Sequence, residues 1–185
     1  MATLFTPSGG VLNGDDNNPN ATFRIGCTLA AASNGSIRVT FTAASATGLT
    51  VGHASIGKAS GIGGSSDCTT VPLELKFAGA SGFAISAGQS ITSDFLVHSG
   101  SFSLAAADTL VVIHDVTSPS GQRFRGSLSN VTGYWKNGTT SWNTQTLVGE
   151  SSLGALDYDV ERIETNDLGG SLLYVPSPMQ HLLVR

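Results

Sequence analysis

Charge is what this sequence has least of. Lys and Arg number 9 and Asp and Glu 13, so 12% of the 185 residues are charged, against about a quarter in an ordinary globular chain. Exposed helices draw part of their stability from i,i+4 ion pairs, which so sparse a set cannot supply. Nor can nine scattered cations track a phosphate backbone, which requires clustered Lys and Arg to displace counterions. Nucleic acid is therefore not an expected partner. Long apolar runs are missing too: nothing approaches the roughly 18 to 20 residues of a membrane span, and no membrane partner is expected. The opening residues Met1-Ala2-Thr3-Leu4-Phe5 lack the charged and then apolar layout of a secretory signal. Synthesis in a cytoplasm without secretory export is the expectation, with an extracellular location as the alternative.

What is abundant points the other way. The chain holds 23 Gly, 24 Ser and 19 Thr, 66 of its 185 residues, a composition of turns and β-branched hydroxyls. Period-2 alternation, the mark of half-buried strands, recurs between turn clusters. In 22–29, Phe23, Ile25 and Cys27 share one face; in 36–42, Ile37, Val39 and Phe41 oppose Arg38, Thr40 and Thr42. A third strand opens at Leu49, Val51 and His53, and Val71, Leu73, Leu75 and Phe77 alternate in a fourth, where Pro72 marks an edge or a start. Further strands are expected at 82–85, 90–98, 109–116, 123–128 and 156–163. No segment carries a clear helical period, although 104–108 could form a single turn. Eight or nine short strands with turns between them predict an all-β fold, a single antiparallel two-sheet β-sandwich of jelly-roll type. The expected organisation is an N-terminal arm over 1–20, the β-sandwich domain over 21–165 and a C-terminal tail over 166–185.

Chemistry-bearing motifs are sparse, and each has a plain structural reading. Gly52-His53-Ala54-Ser55-Ile56-Gly57-Lys58-Ala59 approaches a phosphate loop, but Ala59 stands where a magnesium-binding hydroxyl belongs and no helix follows. No Gly-x-Ser-x-Gly elbow occurs. His114 and Asp115 are neighbours in a strand, where adjacent side chains point to opposite faces and cannot pair. His53, His98, His114 and His181 are scattered, and Asp15, Asp16, Asn17, Asn18 and Asn20 lack the alternating spacing of a calcium loop, so an Asx-rich turn is the better reading. No catalytic residue, metal ligand or cofactor is expected, and the chain is read as a non-enzyme. Cys27 in a strand and Cys68 in a Gly/Ser loop are either a disulfide anchoring that loop, worth about 3 to 4 kcal/mol by chain entropy, or two thiols, as a reducing cytosol would leave them.

Two groups of residues suggest binding. Tyr134, Trp135 and Trp142 lie in an Asn- and Thr-rich stretch with Asn137 and Asn143. Rings beside amides are what a sugar-binding face uses, although aromatic residues also plug the end of a sandwich. The four Asn-x-Ser/Thr sequons at Asn20, Asn34, Asn130 and Asn137 are read as turn chemistry in a chain without a secretory route. In the tail, Leu168, Leu172, Leu173, Tyr174, Val175, Met179, Leu182, Leu183 and Val184 are nine large apolar residues among the last 18. They follow a strand that would already complete a sandwich, so something must cover them.

The runs 37–42 (Ile-Arg-Val-Thr-Phe-Thr) and 48–56 (Gly-Leu-Thr-Val-Gly-His-Ala-Ser-Ile), with Ile85-Ser86-Ala87-Gly88-Gln89-Ser90-Ile91-Thr92-Ser93-Asp94 and Leu104-Ala105-Ala106-Ala107-Asp108-Thr109-Leu110-Val111-Val112, carry a likeness. They resemble the β-sandwich accessory domain that precedes the catalytic domain of some secreted SGNH (GDSL-type) esterases. The likeness spans about 37–116 and, more loosely, reaches 163. It implies a jelly-roll-like sandwich and, at most, glycan or surface binding, because no Gly-Asp-Ser block and no C-terminal Asp-x-x-His is present. A small, charge-poor sandwich with an apolar tail and no export signal predicts a structural protein of a multi-subunit particle, a phage virion component such as a capsid decoration or tail protein. Its partners would be other protein subunits, with contacts made by the arm and by Leu172, Leu173, Tyr174, Val175, Met179, Leu182 and Leu183. The alternative is a carbohydrate-binding module using Tyr134, Trp135, Asn137, Trp142 and Asn143.

Overall fold

Alternation of apolar and polar residues becomes strand after strand in a computed structural model, which describes residues 1–17, 19–61, 67–155 and 157–167. The strands are β1 (Ala2–Phe5), β2 (Gly9–Asn17), β3 (Ala21–Thr28), β4 (Ser36–Thr42), β5 (Leu49–Lys58), β6 (Leu73–Glu74), β7 (Phe83–Ile85), β8 (Ser90–Thr92), β9 (Leu96–Val97), β10 (Thr109–Leu128), β11 (Val131–Asn137), β12 (Ser151–Gly154), β13 (Asp157–Tyr158) and β14 (Val160–Thr165). One sheet runs β1-β14-β4-β8, with β9 also paired to β4. The other runs β12-β11-β3-β10-β5-β6, with β7 on β5. Among the described residues the strand pairings are antiparallel, and the two sheets make a β-sandwich, as the sequence leads one to expect.

The core lies where the inner faces meet. Phe23, Ile25 and Cys27 from β3, Ile37, Val39 and Phe41 from β4, and Leu110 and Val112 from β10 are all buried in one cluster. Phe41, Phe77 and Phe83 pack at centroid distances of 4.6 to 5.9 Å, within the range of favourable edge and tilted contacts.

β10 joins two expected strands into one. Its first half lies between β3 and β5, and its second half pairs with β2 and β13. The pairing with β5 jumps from Thr117 opposite Thr50 to Ser120 opposite Leu49, skipping Pro119, which has no N–H to give a ladder. A Cβ on Gly121 would lie 2.2 Å from the carbonyl oxygen of Thr47, so this crossing needs glycine.

The segment expected as an N-terminal arm contributes two strands. β1 pairs with β14 and β2 with β10, so both are built into the sheets. The strand expected over 71–77 contracts to Leu73–Glu74. The one expected over 90–98 is broken in the middle, where the Ser93 hydroxyl accepts the Val39 N–H (3.0 Å) in place of a ladder carbonyl. Residues 168–185, with all seven proposed inter-subunit residues, lie outside the described residues.

Candidate functional site

Three clusters gather the polar and reactive side chains. The first lies on the outer face of the larger sheet. Inward Phe23 and Ile25 turn Arg24 outward, where it would meet solvent but for residues 138–150, which cover it. Arg24 is wholly buried. Its guanidinium donates to the carbonyl and hydroxyl oxygens of Thr144, the latter at 2.8 Å, with longer contacts of 3.4 Å to the carbonyls of Ser141 and Gln145. One planar group with five donors thus holds a turn of chain that has no strand of its own. Burial pushes the Arg24 pKa down, against the neighbouring Cys68, Asp67 and Glu150.

The cover is completed by side chains. The Trp142 ring stacks on His53 at 4.6 Å, and its carbonyl accepts the Ser55 hydroxyl. Cys68, Val111 and Ile113 form a second small core beneath it. Burial raises the Cys68 thiol to about 11, opposed by Arg24 and assisted by Asp67. Cys68 sits where Gly57 leaves room: a Cβ there would be 2.7 Å from the Cys68 Sγ. Gly57→Ala is therefore expected to cost roughly 1 to 2 kcal/mol by overpacking. Urea denaturation would read the loss, and adding Cys68→Ala should recover most of it. Failure of that rescue would dissociate Gly57 from the cysteine.

The two cysteines are not bonded. Both are buried free thiols. Cys27 opposes Leu110 on the inner face, whereas Cys68 packs on Val111 at the outer face, so the sheet itself separates them.

The aromatic residues also divide between faces. Tyr134 opposes Arg24 on the outer side, and Trp135 opposes Phe23 and packs against the inner core. Trp142 belongs to the cover, while Asn137 and Asn143 are exposed. The rings of Tyr134, Trp135 and Trp142 form no common platform for a sugar, because consecutive residues of a strand point oppositely. Burial raises the Tyr134 hydroxyl pKa, with Glu150 adding to it.

Near the other end of this cover, Asp115 is buried and its Oδ1 lies 2.6 Å from the Thr22 hydroxyl, which also reaches the Gly138 carbonyl at 2.7 Å. One hydroxyl proton cannot serve both acceptors. Burial raises the Asp115 pKa, and the Thr22 hydroxyl, His114 and His53 oppose that shift only in part.

The second cluster is inside the sandwich. His114 faces inward, opposite in direction to Asp115 as strand geometry requires, stacked on Phe23 at 5.6 Å and edge-on to Phe41 at 5.5 Å. Its Nε2 is 3.6 Å from Asp159 Oδ2, both side chains fully buried. That separation exceeds a hydrogen bond.

The third cluster joins three chain segments at one end of the smaller sheet. The Ser33 hydroxyl is 3.0 Å from His98 Nε2, 3.0 Å from Thr165 Oγ1 and 2.9 Å from Asp167 Oδ2. His98 Nδ1 donates to the Phe102 carbonyl. The Asp167 carboxylate also accepts the backbone N–H groups of Asn34 and of Gly35, the latter at 2.8 Å. Burial raises the Asp167 pKa, but the bonds from Asn34, Ser33 and Gly35 outweigh it and hold the group below the usual carboxylate range. A Ser–His contact resembles a nucleophile and its base; here Ser33 and His98 are both buried, and the Ser33 hydroxyl is also engaged by Thr165 and Asp167. The cluster fastens chain to chain.

Among the described residues, no three His, Cys, Asp or Glu side chains gather to hold a metal. The fold defines an all-β, antiparallel two-sheet sandwich. No family model matches the chain and no curated protein matches it significantly.

Proposed function

We propose that this chain is a non-enzymatic structural subunit of a multi-copy particle of the virion type, a capsid decoration or tail protein, in which residues 168–185 bind neighbouring subunits. What supports this reading is the fastening of Asp167. Three donors from 33–35 grip its carboxylate, and Asn166 extends the pairing through its N–H to Ser36 and its side chain to the Ser36 N–H. The apolar tail therefore starts from a point fixed to the sandwich. A tail with nine large apolar residues gains about 1.5 to 3 kcal/mol for each side chain it buries, and a fixed base lowers the ordering cost of placing it on a partner.

The test compares the mass in solution of the full chain with that of a chain ending at Asp167, by light scattering. The full chain should form multimers and the shortened chain, which keeps the fastening, should be a single copy with an unchanged melting temperature. A full chain that stays single well above micromolar concentration overturns the reading, as does equal assembly without the tail.

A further inference from the structure

We propose that the open edge formed by β8 and β9 is the acceptor for a tail, and that residues 171–175 of a second copy add to it as a strand. This inference rests on the assembly reading above. β8 and β9 both pair with β4 on the side away from β14, and among the described residues no strand lies beyond them. Between the two strands the Asp94 N–H already donates to the Lys76 carbonyl (2.7 Å), so the backbone groups of this edge are available at β9 rather than along its whole length. The His98 N–H bonds the Gly35 carbonyl, and Leu96 opposes Ile37. By antiparallel alternation the N–H and C=O of Val97, which opposes Ser36, turn away from β4.

Exposed edges are ordinarily protected by charge, proline or a covering segment. Here the edge presents apolar side chains instead: Val97 is 63% exposed and Phe95 40%. Its one acid, Asp94, is turned back onto the N–H groups of Ala78 and Gly79. Arg38, paired with Glu164 at 2.9 Å, lies 4.9 Å over the Phe95 ring and fixes it beside the edge.

The tail supplies a matching strand. Ser171-Leu172-Leu173-Tyr174-Val175 is uncharged, β-prone and ended by Pro176, which cannot continue a ladder. Pairing at an open edge gives affinity through the main chain, and alternate side chains give specificity.

Length selects a second copy over the chain's own tail. From β14 across β4 and β9 to a new strand is three strand spacings, about 14 Å. Between Asp167 and Ser171 stand only Leu168, Gly169 and Gly170, so the four Cα steps from Asp167 to Ser171 span at most about 14 Å. An own-chain connection would have to be fully stretched and also reverse direction, whereas a tail from a neighbouring copy meets no such limit.

The experiment uses the full chain. Val97→Pro removes an N–H that β4 does not use, so an edge strand tolerates it; Val97→Lys places a charge on the same edge. Both variants should keep the wild-type melting temperature and lose multimer formation by tenfold or more in concentration. If one misfolds, the other carries the test. Full chains carrying Val97→Cys, mixed under oxidation with chains carrying Leu172→Cys, Leu173→Cys or Tyr174→Cys in turn, should yield a covalent dimer for at least one partner. If both Val97 variants assemble like wild type while the chain ending at Asp167 does not, the edge proposal falls and the assembly reading stands. A wild-type chain that never assembles ends both. Linkage only within a chain carrying both cysteines overturns the second-copy assignment.

Discussion

Arg24→Leu is expected to destabilise the protein by about 3 kcal/mol and to turn Cys68 into a reactive thiol. The Arg24 guanidinium is the donor that residues 141–145 share, and a leucine leaves the Thr144 carbonyl covered without it. Hydrogen bonds to a charged group contribute about 1.5 to 3 kcal/mol each, and the two contacts at 3.4 Å add little. Loss of the segment would separate Trp142 from His53 and uncover the small core around Cys68. With its pKa near 11, the Cys68 thiol is thiolate at pH 8 only on the order of one part in a thousand, and it is shielded as well. Two effects then oppose each other: removing the cation alone would raise the thiol further, whereas uncovering it restores an ordinary pKa. Faster labelling with a thiol reagent would show that uncovering dominates. Arg24→Lys should recover only part of the stability, since one ammonium cannot reproduce a planar fork. Unchanged labelling together with an unchanged urea midpoint would sink the account of Arg24 as the clasp.

Most of the sheet framework was readable from alternation. The strand expected over 36–42 is β4, Ser36–Thr42, and that over 22–29 is β3, Ala21–Thr28. Both have one apolar face against the core, which is the condition under which a period of two is informative. Where a strand lacked that contrast it was missed. β2 runs through Gly- and Asp-rich chain held by backbone pairing to β10, and β11 begins the Asn- and Thr-rich stretch that shows no clean alternation. In 90–98 the pattern was right, but a serine hydroxyl replaced one ladder bond and split the strand.

The clusters were less legible because their members meet from far apart in the chain. Arg24 alternates correctly to the outer face, and nothing local indicates that residues 141–145 will cover it. The prediction that His114 and Asp115 cannot pair agrees with their opposite directions, but the partner His114 does meet, Asp159, is 45 positions away. Ser33, His98 and Asp167 converge from a turn, a strand end and the root of the tail. Tyr134 and Trp135, grouped as one sugar-binding set on their composition, are consecutive residues of β11 and therefore face opposite sides of the sheet.

Asp159 should respond to its two obvious substitutions in opposite ways. Asp159→Ala is expected to cost about 3 kcal/mol at neutral pH: it leaves the half-buried Arg123 N–H without its acceptor at 2.7 Å, about 1 to 3 kcal/mol, and puts alanine at a φ of 65°, a further 1 to 2 kcal/mol. Asp159→Asn keeps the Oδ1 acceptor and tolerates that φ, so it should be neutral or stabilising. The reason lies in the carboxyl's charge. Burial raises the Asp159 pKa above its ordinary 3.8, and the contacts with His114 and Arg123 only partly oppose this. The folded state thus binds the proton more tightly than the unfolded chain does. Its contribution to stability is complete below the unfolded value and declines as pH rises through the raised folded value. In Asp159→Asn that decline should vanish, so its advantage over wild type should be largest near neutral pH and smallest near pH 4. Urea midpoints at several pH values measure it. A loss at pH 7 equal to that of Asp159→Ala would mean that an ionised Asp159 is the state the core requires, because only a carboxylate could then serve.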